Sequence, residues 1–337
     1  MTRTWIRNQV FDPPLAEKPG FLNRECESVL QFIGKRLLAF IPVLWGVTTL
    51  VFLAVHLLPG DPAELMLAES GGSAESIAYL RDRLGLDDPL HVQYGRFLLN
   101  TLRGDLGRSI FTNRPVLQTI LEQLPSTIEL ALAAMLVAIA LGTGLGVLAA
   151  LNHNSWLDNI CMTVAVAGVS VPIFWSGLLL ILLFSSTLHW LPTTGQGGLR
   201  HLLMPALVLG FASSGTIARL VRSSLLEVLY KEYITTARSK GLSEGLILTR
   251  HALKNALIPA ITVVGLQFGF LLGGAVVTET VFSRPGIGRL IVDAILWKDF
   301  PLVQGGVLLA ALTYTLVNLL VDISYAFADP RIRHDGS

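Results

Sequence analysis

The chain has 337 residues, 52% of them hydrophobic and only 15% charged, with a formal net charge of +1. Soluble domains carry roughly 25% charged residues, so this composition excludes an ordinary soluble enzyme. A net charge so near zero argues neither for nor against nucleic acid, and what matters is where the charges sit. The two cysteines, Cys26 and Cys161, fall in a polar tail and an apolar run, which provides neither a disulfide framework nor metal-ligand spacing.

Residues 1–30 are polar, are interrupted by Pro13, Pro14 and Pro19, and lack the apolar core of a signal peptide. They are expected to form a cytosolic tail. Six apolar runs follow, each close to the roughly 20 residues that cross a bilayer as a helix. They cover about Leu37–Leu58, Ser126–Leu151, Ile160–Thr187, His201–Leu220, Leu257–Phe282 and Leu302–Ala328. The expected fold class is all-α: a polytopic membrane protein of six transmembrane helices over residues 31–333, ending in a short tail, 334–337. Lys and Arg concentrate on the cytosolic side of such proteins. Lys35 and Arg36 precede the first run, seven Lys/Arg lie in Arg219–Pro259, and Arg331 and Arg333 follow the last run. Both termini and the loop 221–256 are therefore expected in the cytosol, and the long loop 59–125 outside, with a surface helix near Ala74–Leu84.

Gly142-x-x-x-Gly146 and Gly265-x-x-x-Gly269 have the spacing that lets membrane helices approach closely. Pro172 and Pro205 lie inside apolar runs and should kink or open their helices. They are candidates for lining a pathway, as is Glu279 near the outer end of the fifth run. No G-x-x-x-x-G-K-[ST] phosphate loop, H-E-x-x-H, C-x-x-C or G-x-S-x-G element occurs. The chain is expected to be no enzyme and to hold no cofactor or metal. Proton-driven carriers place paired carboxylates or histidines near mid-membrane, whereas Glu129, Glu279 and Asp322 lie toward the ends of their runs. That weakens a self-contained carrier or channel, the alternative that stays open. A set of pathway-like helices without an energy source of its own, presenting a helical basic segment to the cytosol, points to a permease driven by a separate ATPase.

The motifs carry a resemblance. Tyr233-Ile-Thr-Thr-Ala-Arg-Ser-Lys240-Gly241-Leu242, followed by His251-Ala-Leu-Lys-Asn255-Ala-Leu-Ile-Pro259, resembles the cytoplasmic coupling motif of ABC importer permeases, in the dipeptide/oligopeptide/nickel branch. His56-Leu-Leu-Pro59-Gly60-Asp61-Pro62, Gly104-Asp105-Leu106-Gly107 and Thr278-Glu279-Thr280-Val-Phe282-Ser-Arg-Pro285-Gly286 are similar to the same family. So are Gln304-Gly305-Gly306 and Asp329-Pro330-Arg331-Ile332-Arg333. The first of these elements favours the first of the two permeases such systems contain. One departure is that Thr235, Thr236 and Ala237 stand where the wider motif has Glu-Ala-Ala.

The resemblance implies a type I importer permease fold (MetI-like) with a coupling helix near Glu232–Leu246. The implied partners are a second homologous permease, two ABC ATPase subunits that bind ATP and Mg, an extracytoplasmic solute-binding protein and membrane lipid, with no nucleic acid. The implied setting is a bacterial or archaeal cytoplasmic membrane. Tyr233, Ala237, Arg238, Lys240, Gly241, Leu242, Asn255 and Pro259 become the coupling residues, with Ala237 and Leu242 supplying the buried contact in the ATPase groove. Asp61, Asp105, Arg284, Pro285 and Gly286 become candidate contacts with the binding protein. The implied cargo is a di- or oligopeptide, with nickel, glutathione and sugars also carried in the family.

Overall fold

The computed structural model describes residues 21–57, 74–85 and 87–328, and the described residues form helices without a strand, the one β-bridge joining Arg108 to Pro115. Helices suit an apolar environment because each satisfies its own backbone N–H and C=O groups. In chain order they are α1 (Phe21–Leu57), α2 (Ala74–Leu84), α3 (Leu90–Leu102), α4 (Val116–Leu151), α5 (Trp156–Ser170) and α6 (Ile173–Leu180), which runs on as a π-helical segment, Ile181–Thr187. Next come α7 (Leu199–Leu229), α8 (Glu232–Ser239), α9 (Glu244–Leu246), a second π segment (Ile247–Ala252) and α10 (Leu253–Ala256). The chain closes with α11 (Ile258–Val281), α12 (Ile287–Leu296) and α13 (Phe300–Ala328).

Among the described residues, five helices are long and apolar enough to cross a membrane: Arg36–Leu57 of α1, α4, α7, α11, and Phe300–Val321 of α13. α5 and α6 make a sixth crossing only when counted as one broken span, bent by 105°. The bend falls at Pro172. A residue before proline is pushed out of the helical region, and Val171 accordingly has φ −81° and ψ 128°. Pro205 behaves differently: α7 runs through it unbroken, with Leu202, Met204 and Ala206 buried around it. The helix continues past this proline, so the expected opening at Pro205 is not present. Two boundaries also move. α1 begins at Phe21, inside the segment expected as a tail. α4 begins at Val116, and its 36 residues make a rod of about 54 Å, longer than the apolar layer of about 30 Å.

α4 and α7 form the centre of the bundle. Lipid is as apolar as leucine, so membrane helices associate mainly through close packing, which small residues permit. A Cβ on Gly142 would lie 2.8 Å from the Ser214 carbonyl oxygen, and one on Gly146 would lie 2.6 Å from that of Ala218. From the other side, Gly210 of α7 sits against the Ala134 carbonyl. α5 joins on the flank, with Gly168 against the Phe211 carbonyl and Gly215 against that of Ala165. α11 closes the layer through Leu271 and Ala275, which share a buried cluster with Leu130, Ala134 and Leu209. α1 stands apart, packing chiefly along α13. At its far end α3 folds over it: Tyr94 hydrogen-bonds Thr49 (2.6 Å), Gln93 bonds His56 (3.1 Å), and Phe52 meets the rings of Tyr94 and Phe97.

Because these contacts run backbone to backbone, there is no room for repacking at the central pair. Gly146→Leu is expected to cost about 1–3 kcal/mol by overpacking, whereas Gly144→Leu, whose Cβ would meet open space, is tolerated. Thermal unfolding of the two purified variants in one detergent separates these outcomes.

Candidate functional site

The segment after α7 is built on two buried side chains. Ile234 and Ala237 of α8 turn inward and join Ala150 of α4, Leu225 and Val228 of α7, and Ile247, Ala252 and Ala256 of the following segments in one cluster. Their spacing of three places both on one face of the helix. Every other residue of α8 is exposed, from Glu232 and Tyr233 to Ser239, as are Lys240 and Gly241 beyond it. The short helix is thus fastened along one side to α4, α7 and α10, and bare along the other.

Its end is a Schellman motif. Gly241 N–H donates to the Arg238 carbonyl (2.9 Å) and Leu242 N–H to the Ala237 carbonyl (3.4 Å). Gly241 takes φ +75°, and a Cβ there would touch nothing within 4 Å. Backbone conformation rather than lack of space therefore demands glycine. Leu242 then folds back to pack on the same cluster, the hydrophobic contact that accompanies this cap. The single rod expected over Glu232–Leu246 is consequently two pieces, broken at Gly241. Ala237 and Leu242, expected in a partner's groove, pack instead against the chain's own core.

The remaining residues of the motif are brought together here. Arg238 donates to Glu244 through Nε (2.8 Å) and Nη2 (3.2 Å), closing the turn from outside. The guanidinium holds the Glu244 carboxyl below its ordinary value, and the carboxylate raises Arg238 in return. Asn255 Nδ2 donates to the Tyr233 hydroxyl (3.0 Å) and to the His251 carbonyl (3.1 Å), tying α8 to α10. Pro259 lies in the first turn of α11, where proline's missing N–H costs nothing.

At the opposite end of the bundle, the Thr278–Gly286 motif forms a second device. Glu279 is fully buried. Its Oε1 accepts from the Thr127 hydroxyl of α4 (2.7 Å) and its Oε2 from the Arg289 backbone N–H (3.1 Å). Thr127 Oγ1 in turn accepts from Ile287 N–H (2.9 Å). A remote carboxylate and hydroxyl thus cap α12, whose first N–H groups have no partner within the helix. Gly286 leaves the space: a Cβ there would collide with the Glu279 carboxylate. Arg284, expected as an outward contact, is 1% exposed and bonded to Glu129 of α4. Glu279 is likewise a capping group in this structure, with no exposed surface to line a pathway.

Of the other outer candidates, Asp105 is exposed and accepts from Gly107 N–H (2.9 Å) in a tight turn. Pro285 is half-buried, and Asp61 lies outside the described residues. Pro172 stands exposed at the break between α5 and α6. Sequence reasoning passed over three structural polar groups. Asp299 caps α13, accepting from Leu302 N–H (3.3 Å), Ile110 N–H (3.2 Å) and the Ser109 hydroxyl (2.5 Å). Asp158 and Arg222 pair between α5 and α7 at 2.6–2.7 Å. The signals were present: an acid directly before an apolar run for Asp299, and an acid in a helix's first turn for Asp158.

The described geometry is a helical bundle with a helix-turn fastened beneath it and a capped helix above, and the comparisons identify its class. Residues 142–334 match the family described as binding-protein-dependent transport system inner membrane component, and residues 29–131 match its N-terminal companion. The chain belongs to this family, the permease subunits of ABC importers, in which ATP hydrolysis resides on a separate subunit. Among its relatives, the glutathione transport system permease protein GsiC of Salmonella paratyphi A is 47% identical over 91% of this chain and its own whole length. The dipeptide transport system permease protein DppB of Alkalihalophilus pseudofirmus is 43% identical over the same shares. The fold is also that of the inward-facing MetNI methionine ABC transporter, with a TM-score of 0.52 at 16% identity, over 63% of this chain and 97% of the other.

The far-end device makes a sharp expectation. Glu279→Ala strips the cap from α12 and leaves buried donors unpaired, at about 1–3 kcal/mol each. Amide hydrogen exchange at residues 287–289 should accelerate markedly while exchange in α8 stays at the wild-type rate.

Proposed function

We propose that this chain is the permease subunit of an importer for short peptides or peptide-like solutes, glutathione among them. It pairs with a second homologous permease, and two ATPase subunits drive it from the cytosolic face. An extracytoplasmic solute-binding protein delivers the cargo. The observation that carries the reading is the α8–Gly241–α10 unit: a helix bound on one face to the ends of two central spans and bare on the other. A partner that grips the bare face moves α4, α7 and α10 together, because Ile234 and Ala237 sit among their side chains. Tyr233 and Lys240 stay exposed and are the side chains offered to the ATPase. Arg238 and Glu244 close the turn from outside, and Asn255 ties it to α10. The two relatives named for glutathione and dipeptide transport, each matched along its whole length, support the cargo class.

On this reading both termini and α8 face the cytosol, in keeping with the basic residues around them. Asp105 and Pro285 lie on the outer side, toward the binding protein, and Asp61 keeps its expected role as a candidate contact with it. Arg284 and Gly286 act there by shaping the α12 corner rather than by direct contact. The bend at Pro172 belongs to the pathway, and ATP and Mg are held by the partner ATPases.

Gly241→Val tests the reading. A branched residue at φ +75° costs about 1–2 kcal/mol in backbone strain, enough to unfasten the turn but not to prevent membrane insertion. Peptide uptake should be lost, with the protein still present in the membrane at wild-type abundance. Normal uptake in this variant would overturn the coupling role.

A further inference from the structure

The α4–α5 turn carries a polar cluster that the coupling unit does not use. Ser155 caps α5, its hydroxyl accepting from Asp158 N–H (3.3 Å). Asp158, in the first turn, is 3% exposed. An acid at this position is favoured by the helix dipole, yet its carboxylate does not stay local. Oδ1 accepts from Arg222 Nε (2.7 Å), and Oδ2 accepts from Arg222 Nη2 (2.6 Å) and Asn154 N–H (3.1 Å). His153 Nδ1 completes the group, 3.4 Å from Asp158 Oδ2 and 3.2 Å from Arg222 Nη2. Arg222 lies on α7, about two turns before the helix ends and the chain passes through Tyr230 and Lys231 into α8.

The other contacts between α5 and α7 are of a different kind. Gly168 lies against the Phe211 carbonyl and ring, and Gly215 against the Ala165 carbonyl and the Val169 side chain. Such contacts are van der Waals in kind and carry no directional bond between charged groups. A two-point guanidinium–carboxylate bond fixes distance and direction together. It is therefore the contact that sets the register of α5 on α7. α5 is a rod of 15 residues with this clamp at one end and the 105° break at the other.

We propose that Asp158 and Arg222 form a positioning joint that makes α5 follow the cytosolic end of α7, so that displacement of α8 reaches the broken span. This rests on the coupling reading above and extends it: α8 moves not only the spans it touches but also a span it does not touch. Neither residue meets cargo or nucleotide; both act through α5. His153 shields the pair from the turn side, and Asn154 N–H holds the carboxylate oriented toward α7.

The test uses the whole transporter, with its second permease, ATPases and binding protein, in proteoliposomes. Asp158→Asn and Arg222→Gln should each lower uptake per ATP hydrolysed by about tenfold, and the exchanged double variant, Asp158→Arg with Arg222→Asp, should partly restore it. A merely structural pair would lower stability without changing that ratio. Spin labels at Thr163→Cys on α5 and Thr235→Cys on α8, in a chain with Cys26→Ser and Cys161→Ser, supply a second measurement. Their separation should be the same in the nucleotide-free and vanadate-trapped states of the otherwise wild-type chain, and should differ between those states in Asp158→Asn. An unchanged ratio in the single variants, or a separation indifferent to Asp158→Asn, overturns the joint. Failure of the coupling reading is distinguishable, since Lys240→Cys would then form no crosslink to an ATPase subunit.

Discussion

The backbone contact between α4 and α7 is the constraint on which the other features rest. Gly142, Gly146 and Gly210 let each helix seat directly on the other's carbonyls and on the side chains of Ile217, Val221 and Val137. That contact puts Ala150 of α4 beside Leu225 and Val228 of α7, the floor on which α8 lies. At the other end of the same helix, Thr127 and Glu129 are aimed at Glu279 and Arg284. One rod thus carries a partner of the coupling turn at one end and the cap of α12 at the other. In lipid no hydrophobic gradient would hold such a rod in place, and fit has to do it.

The two ends differ in how they are fastened, and the difference matches what each has to do. At the α8 end, apart from the pairing of buried Asp158 with Arg222 between α5 and α7, the contacts are mainly aliphatic and the polar groups lie on the surface, where Arg238–Glu244 is worth little because water screens it. At the far end Glu279, Arg284 and Asp299 are buried, and each holds donors or acceptors from a part of the chain remote in sequence. Buried polar networks specify one arrangement strongly because every alternative leaves a group unpaired. The α12 corner is accordingly a rigid fixture, whereas the α8 turn is a surface feature on an apolar seat, free to present its outer face.

Much of this was legible in the chain itself. The apolar runs located the membrane helices because about twenty apolar residues in a row have few other destinations. Gly241 stood out within the coupling motif, but the break it makes there depends on its positive φ, which the sequence does not display. Periodicity could not show which face of α8 is inward: Ala237 and Leu242 look equally suited to a partner's groove, and only the position of Ile234 over α7 decides it. Arg284 misled for a related reason, since an arginine in a loop reads as exposed until Glu129, far away in sequence, is found beside it. Pro172 and Pro205 are alike as residues and unlike in effect, and the difference lies in the packing around them. Asp158 and Arg222 were invisible as a pair because nothing local links residues on different helices.

The position of α1 has a consequence for biogenesis. Its principal seat is α13, so a helix translated before the central pair is matched to one translated after it. Until α13 has been made, α1 must wait in the bilayer with its flank against acyl chains, while the central helices assemble without it. Closure of the permease is thus a late, chain-spanning event, and a nascent protein stopped short of α13 would hold a finished centre and an orphaned first helix.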